Sequence, residues 1–375
     1  MVYSAQRYIP NSNHRFSFPS KFTCYGQHGQ GHEEDQSLPR LSNKAALHGR
    51  TVQAVCGGGG HSVVVTDDGE AFVCGQNHRG QLGLGHTASC STLQHCSGLN
   101  QRVTNVACGW DFTLLLTDCG NLLACGSNVF GQLGIHYNWI TVFTWGTGLC
   151  SLAKRALNPD PVPSHLNSKV PSLVPGLDQK MARVVTAGSA HCVCLTDGDL
   201  FLWGSNKHNQ LTATEPFLST PALLKRSLLN GEKVVKVWSG WTHIIAQKTG
   251  RVFTWGRGNY GQLGRLLTDG PNSEHQSCPP PACVLMSWLF PLQIACGSEH
   301  NLAIVGERLL SWGWNEHGMC GDGSLADVFE PQLVPGLRPL VIGCGAGHSM
   351  AVCVGNTSHD LLLTHGCFFS ANCLT

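Results

Sequence analysis

The chain has 375 residues, of which 45 (about 12%) are glycine, 42% are hydrophobic and only 13% are charged. That balance excludes a disordered chain and points to many turns and few solvated helix faces, the profile of an all-β protein. Lys and Arg number 24 against 23 Asp and Glu, a net charge of +1, which excludes the basic footprint that nucleic acid or an anionic membrane surface requires.

Residues 1–50 form an N-terminal segment with no apolar core of signal-peptide type, and no stretch of the chain reaches the ~18 apolar residues of a membrane span. A cytoplasmic protein without membrane insertion is expected. Within this segment Phe22 to Leu41, "FTCYGQHGQGHEEDQSLPRL", reads as a degenerate half-repeat, aligned with "FVCGQNHRGQLGLGH" from Phe72.

Residues 51–354 are repeats. The pattern "VxxVxCGxxHSxxLTxxGxxxxWGxNxxGQLG" recurs from Val52, from Val103, near Val184, near Val234 and from Leu292, and ends in a half unit at Val341 to Val352. Each unit supplies strands of alternating character and tight glycine turns. The glycine of the Trp-Gly or Cys-Gly pair falls at 75, 126, 146, 204, 256 and 313, so the steps are 51, 20, 58, 52 and 57. A step near 50 fits a four-stranded propeller blade with its loops. The step of 20 does not. Between Gly134 and "VFTWG" roughly 30 residues are missing, an outer strand and a "CGxxHS" strand, as a deletion would leave them. The expected fold is an all-β propeller of nominally seven four-stranded blades with the third damaged. The N-terminal half-repeat is expected to complete the half unit at Val341 to Val352 so that no sheet edge is exposed. Ile135 to Thr141 ("IHYNWIT") is too short to replace the lost strands. Residues 355–375 match no repeat and read as a tail.

No cysteine, histidine or carboxylate constellation specifies catalysis, and no Cys-x-x-Cys pair occurs, so no catalytic residue, metal or cofactor is assigned. Cys56, Cys108, Cys296 and Cys344 trade with Ala187 and Ser239 at one repeat position, the mark of a small packed side chain. His61, His191, His243, His300 and His348 recur at another, with Phe112 in the same place. A general base does not recur five times, and these read as structural hydrogen-bonding groups. The two residues inside each "CGxxH" are free to vary. Alternating strand direction puts these slots on one rim with the "WGxNxxGQLG" loops. Trp110, Asp111, Trp241, Glu299, Trp314 and Glu316 are therefore the candidate partner-binding residues, exposed on a rigid face. Packing of the tryptophans between blades is the competing reading.

The repeated "CGxxHSxxLT…G…WGxNxxGQLG" resembles the repeat of the regulator of chromosome condensation family over about 80% of the chain, Val52 to Val352. The resemblance implies a seven-bladed propeller acting by protein contact, as a guanine nucleotide exchange factor or regulator for a small GTPase. The longer strings "GGGGHS", "CGWDFT", "WSGWTH", "CGSEHNLAI" and "SWGWNEHGMCGDG" resemble members tied to regulated secretion. They imply an exocyst subunit as a second partner and a nuclear as well as a cytoplasmic location. By position, Asp111 and Glu299 fall in slots where the family places acidic groups. The alternative is a non-catalytic propeller scaffold in vesicle trafficking. A chromatin role conflicts with the near-neutral charge.

Overall fold

The computed structural model describes residues 25–34, 36–41, 45–133, 142–158, 160–178, 180–266, 279–284, 291–354 and 366–371. The bridging segment Ile135 to Thr141 lies outside them. The chain divides into two compact units, one of Met1–Asn11 with Asn128–Phe290 and one of Ser12–Ser127 with Pro291–Thr375. The described residues form five four-stranded sheets, one three-stranded and one two-stranded, and every strand pair is antiparallel.

The second unit holds four sheets. Val52–Gly57, His61–Thr66, Ala71–Gly75 and Cys90–His95 form one. Pro291–Cys296, His300–Val305, Arg308–Gly313 and Val328–Val334 form another. Val103–Cys108, Phe112–Thr117 and Leu122–Gly126 form a sheet of three. Pro339–Cys344, Ser349–Val354, Gly366–Ala371 and Arg40–Leu41 form the last. The first strands stand side by side in the order 291, 339, 52, 103. His61–Thr66 is buried along its whole length, because it lies between two strands of its sheet and under the faces of its neighbours. Val63, Val65, Val73, Leu82 and Leu115 share one core cluster, so the cores lie between blades, as repeat stacking demands.

The last sheet departs from the sequence reading. The tail, read as outside the repeats, contributes Gly366–Ala371 as its third strand, pairing Val352 with Phe368 and Ala351 with Phe369. In an intact sheet Gln247 pairs with Val252 and Ala246 with Phe253. "CFFSA" therefore takes the register of "RVFTW", with alanine where tryptophan stands. The N-terminal segment adds the outer strand Arg40–Leu41. Its turn is also shifted from the alignment. Gly26 and Gly29 have φ of 79° and 65°, matching Gly80 and Gly83 at 75° and 66°. Tyr25 N–H donates to Gln27 Oε1 at 2.6 Å, as Arg79 N–H donates to Gln81 Oε1 at 2.9 Å. Gly26-Gln27-His28-Gly29 is thus the Gly-Gln-Leu-Gly turn of the last sheet.

The first unit holds two complete sheets. Val184–Ala187, His191–Leu195, Leu200–Ser205 and Phe217–Leu223 form one, and Lys236–Ser239, His243–Lys248, Arg251–Gly256 and Ala282–Val284 the other. A two-stranded remnant pairs Phe143–Thr144 with Ser172–Leu173. The short step in the repeat has its counterpart here. Among the described residues the sheet ending at Gly126 has no fourth strand, and the remnant has only third- and fourth-strand pieces. Leu122–Gly126 is half-exposed where Ala71–Gly75 is wholly buried, since no outer strand covers it.

A second consequence falls on Trp203. Trp145 Nε1 donates to Gln132 O at 2.7 Å and Trp255 Nε1 to Gln210 O at 2.9 Å, each reaching the glutamine turn of the preceding repeat. The remnant before Trp203 has no such turn. Leu149, Ala153 and Val174 share the core cluster of Trp203 instead; Ala153 comes from the helix Cys150–Leu157 and Leu149 is that helix's N-cap. Trp203 is 1% exposed and its Nε1 has no acceptor among the described residues. Trp203→Phe is therefore expected to cost about 1–2 kcal/mol less than Trp255→Phe, because only the second change breaks a bond. Urea midpoints of the two variants check this, and equal losses would show that the missing turn is not felt at Trp203.

Candidate rim site

Each "CGxxH" is a two-residue hairpin turn. The glycine N–H donates to the histidine-position carbonyl at 2.8 Å in Gly58–His61, 2.9 Å in Gly109–Phe112 and 3.0 Å in Gly240–His243. A Cβ on Gly58, Gly240, Gly297 or Gly345 would strike the ring of the histidine three residues on, and on Gly109 the ring of Phe112. The glycine is obligatory because the ring lies over it. All five repeat histidines are 0% exposed.

Their bonds tie neighbouring repeats. His61 Nε2 lies 2.9 Å from Thr113 Oγ1, His348 Nε2 2.9 Å from Ser62 Oγ, and His191 Nε2 2.8 Å from Ser239 Oγ. Thr113 Oγ1 donates to Gln81 O at 2.8 Å and Ser62 Oγ to Gln27 O at 2.7 Å. With the hydroxyl hydrogens so used, the histidines donate through Nε2. Gln27 thus stands to His348 as Gln81 stands to His61. Burial lowers the His61 pKa to about 4, and that of His348 falls well below the usual value by burial and by the nearby His28, His300 and His61.

The slot backbones are tied down as well. Gly59 N–H donates to Trp110 O at 2.9 Å, Ser189 to Trp241 O at 3.0 Å and Ser298 to Ala346 O at 3.1 Å. The second slot carbonyl accepts from the loop after Trp-Gly or Cys-Gly: Gln76 N–H to Gly60 O at 2.7 Å, Ser127 to Asp111 O at 2.9 Å, Arg257 to Thr242 O at 3.1 Å and Trp314 to Glu299 O at 2.8 Å. Slots and loops therefore meet at one end of the sheets within each unit. The loops are braced from inside. Asn77 Oδ1 accepts Leu82 N–H at 3.0 Å while its Nδ2 donates to His86 O at 2.8 Å. Asn315 repeats this on Cys320 N–H at 2.8 Å and Ala326 O at 3.0 Å. Asn209, where other units have glycine, sits at φ 55°, a conformation asparagine tolerates.

The candidate residues separate. In the second unit Trp110, Asp111 and Trp314 are half-buried and Glu316 is exposed. A Cβ on Gly59 would stand 2.8 Å from the Trp110 ring, so that indole lies over the glycine of the next slot and also packs between blades. Trp314 Nε1 donates to Glu316 Oε2 at 3.3 Å and its ring meets His317 edge-on at 5.1 Å. Glu299, expected to be exposed, is 3% exposed: the turn that bonds Trp314 N–H turns this side chain inward. Tyr25 was missed. Its ring lies 2.8 Å from where a Cβ on Gly60 would be, and its place follows only from the shifted N-terminal turn. Trp241, in the first unit, is half-buried. Among the described residues no group of three His, Cys, Asp or Glu could hold a metal, and no helix is long and apolar enough to cross a membrane.

The family model for the RCC1-like domain matches residues 26–351. The chain is 46% identical to the "Secretion-regulating guanine nucleotide exchange factor" of Bos taurus, over 88% of this chain and 81% of that protein. It is 43% identical to the Mus musculus protein of the same name, over 88% and 82%. The bovine alignment runs over 378 residues, more than this chain possesses, while using 88% of it, so the bovine protein carries residues inside the matched span that are missing here. A crystal structure of yeast RCC1 superposes with a TM-score of 0.51 at 18% identity, covering 96% of each chain. With the repeats, the blades and a match over most of its length in agreement, this chain belongs to the RCC1-like domain family of β-propellers.

Proposed function

We propose that the chain is a guanine nucleotide exchange factor or regulator for a small GTPase, which it binds through the rim of slots and braced loops. The observation that carries this reading is the rim's construction in the second unit: the slot and loop backbone groups described above are bonded within the scaffold, while Trp110, Asp111, Trp314 and Glu316 keep some surface; Trp241 keeps some in the first unit. A rigid platform bearing aromatic and acidic side chains is suited to protein contact. The names of the bovine and mouse relatives support exchange activity. The finer assignment, control of secretion through an exocyst subunit from the cytoplasm and nucleus, extends the same proposal. Nucleotide release from a panel of small GTPases tests it, and no acceleration with any of them would sink the exchange reading. The scaffold alternative draws support from Glu299, whose burial removes one acidic group from the surface.

Asp111→Ala or Trp241→Ala is expected to weaken partner binding by roughly 1–3 kcal/mol with little change in melting temperature. Glu299→Ala should do the reverse, since its carboxylate belongs to the interior. Titration calorimetry and thermal melts separate the two. If Trp241→Ala lowers the melting temperature and leaves binding intact, that indole packs rather than binds.

A further inference from the structure

The first strands of the four sheets in the second unit carry Cys296, Cys344 and Cys108 at equivalent positions, and Cys56, read from the sequence as their counterpart, stands one residue earlier, because Gly57 takes their place before the turn; all four are free thiols. Cys56 and Cys108 lie on strands packed directly side by side. Just beyond them the backbones nearly touch: a Cβ on Gly58 would stand 2.6 Å from Gly109 O, and Gly59 N–H donates to Trp110 O at 2.9 Å. Cys108 packs against the core cluster of Val63 and Val65 from the sheet that carries Cys56, each thiol is the foremost influence on the other's titration, and both cysteines are half-buried. We propose that Cys56 and Cys108 are a peroxide-sensitive pair whose disulfide staples these two sheets beneath the Trp110–Asp111 turn.

The two thiols are unequal. Hydrogen bonding from Cys108 holds Cys56 below the usual thiol range against the effect of burial, while Cys108, as donor, is raised well above it. Thiolate character marks the attacking sulfur. The Cys56 thiolate attacks one oxygen of hydrogen peroxide: an S–O bond forms, the O–O bond breaks, and hydroxide leaves as water after taking a proton. The Cys108 sulfur then attacks the Cys56 sulfenic acid. The S–S bond forms, the S–O bond breaks, and the hydroxyl departs as a second water with the Cys108 proton. Two thiols lose two electrons and one peroxide gains them. Burial raises the Cys296 thiol, and burial together with the nearby Cys296 raises the Cys344 thiol well above the usual range, so neither competes. The staple's effect on binding rests on the rim reading above, whereas its formation does not.

The test treats the purified full chain with hydrogen peroxide, blocks the remaining thiols, and maps the peptides by mass spectrometry. A linked peptide pair joining Cys56 to Cys108, released by dithiothreitol, is the expected result, and the urea midpoint should rise on oxidation. Cys108→Ser should leave Cys56 as a sulfenic acid labelled by dimedone, and Cys56→Ser should lose both link and label. Both variants should fold, because Ala187 and Ser239 stand where Cys108 does in other repeats, and the small residues Ala107 and Ala295 where Cys56 does. The proposal is overturned if both cysteines are recovered as free thiols while the exposed Cys119 is oxidised, or if Cys56 links to Cys344. Neither readout needs a GTPase, so failure here and failure of the exchange reading are told apart.

Discussion

Gly240→Ala is expected to destabilise the protein by about 3 kcal/mol or more. A methyl group there would lie 2.5 Å from His243 Nδ1 and 2.8 Å from Nε2. The ring cannot yield, because His243 is fully buried and its strand is paired on both edges. Nor can the backbone, since Gly240 N–H closes the turn on His243 O at 3.0 Å and Gly188 approaches from the preceding repeat, with its own Cβ position 2.5 Å from Gly240 O. Gly98→Ala is the control, as nothing lies within 4 Å of its Cβ position. Urea denaturation of the pair measures the difference. A Gly240→Ala variant within about 0.5 kcal/mol of the parent would mean the ring and glycine are not the coupled pair described here.

Acid should unfold the protein before most carboxylates titrate. His61 and His28 are lowered by burial from 6.5 to about 4, with His32 adding to the effect at His28, and His348 is lowered further. The Nδ1 atoms of His61 and His348 have no hydrogen-bond partner among the described residues, so an added proton there would be buried without an acceptor. The unfolded chain takes up these protons below about pH 6.5, and the folded chain does not until near pH 4. Stability is therefore fully present above pH 6.5 and declines as pH falls through the interval to 4. His61 alone contributes about 3 kcal/mol over that range. Melting temperature against pH is the measurement, and the span from 6.5 to 5, above ordinary carboxylate values, is diagnostic. His61→Phe copies Phe112 and should flatten the slope by one proton. A level profile from pH 7 to 5 would show that the histidines are not held neutral.

Repetition made the blades legible. A residue type that recurs at a fixed place answers to the same local geometry each time, so glycine over a ring or asparagine bracing a loop can be read without coordinates. The short step from Gly126 to Gly146 likewise announced a missing half-blade, because strand length and blade length are set locally. The rim slots were legible as positions for the same reason.

What those positions do was decided by tertiary structure. Asp111 and Glu299 are equivalent in sequence, yet one keeps surface and the other is buried, since burial depends on neighbours brought in by other repeats. The glutamine turn at Gln27 and the tail strand Gly366–Ala371 escaped notice because each is a single degenerate copy, defined only by its pairing and bonding in the fold. The thiol contact between Cys56 and Cys108 belongs to the same class. The sequence by itself determined the all-β repeat, its scaffold glycines and histidines, and the missing half-blade, all consequences of local backbone geometry. Only the tertiary structure decided which side chains face out, which thiols meet and which strands complete the last sheet, because those depend on contacts between segments far apart in the chain.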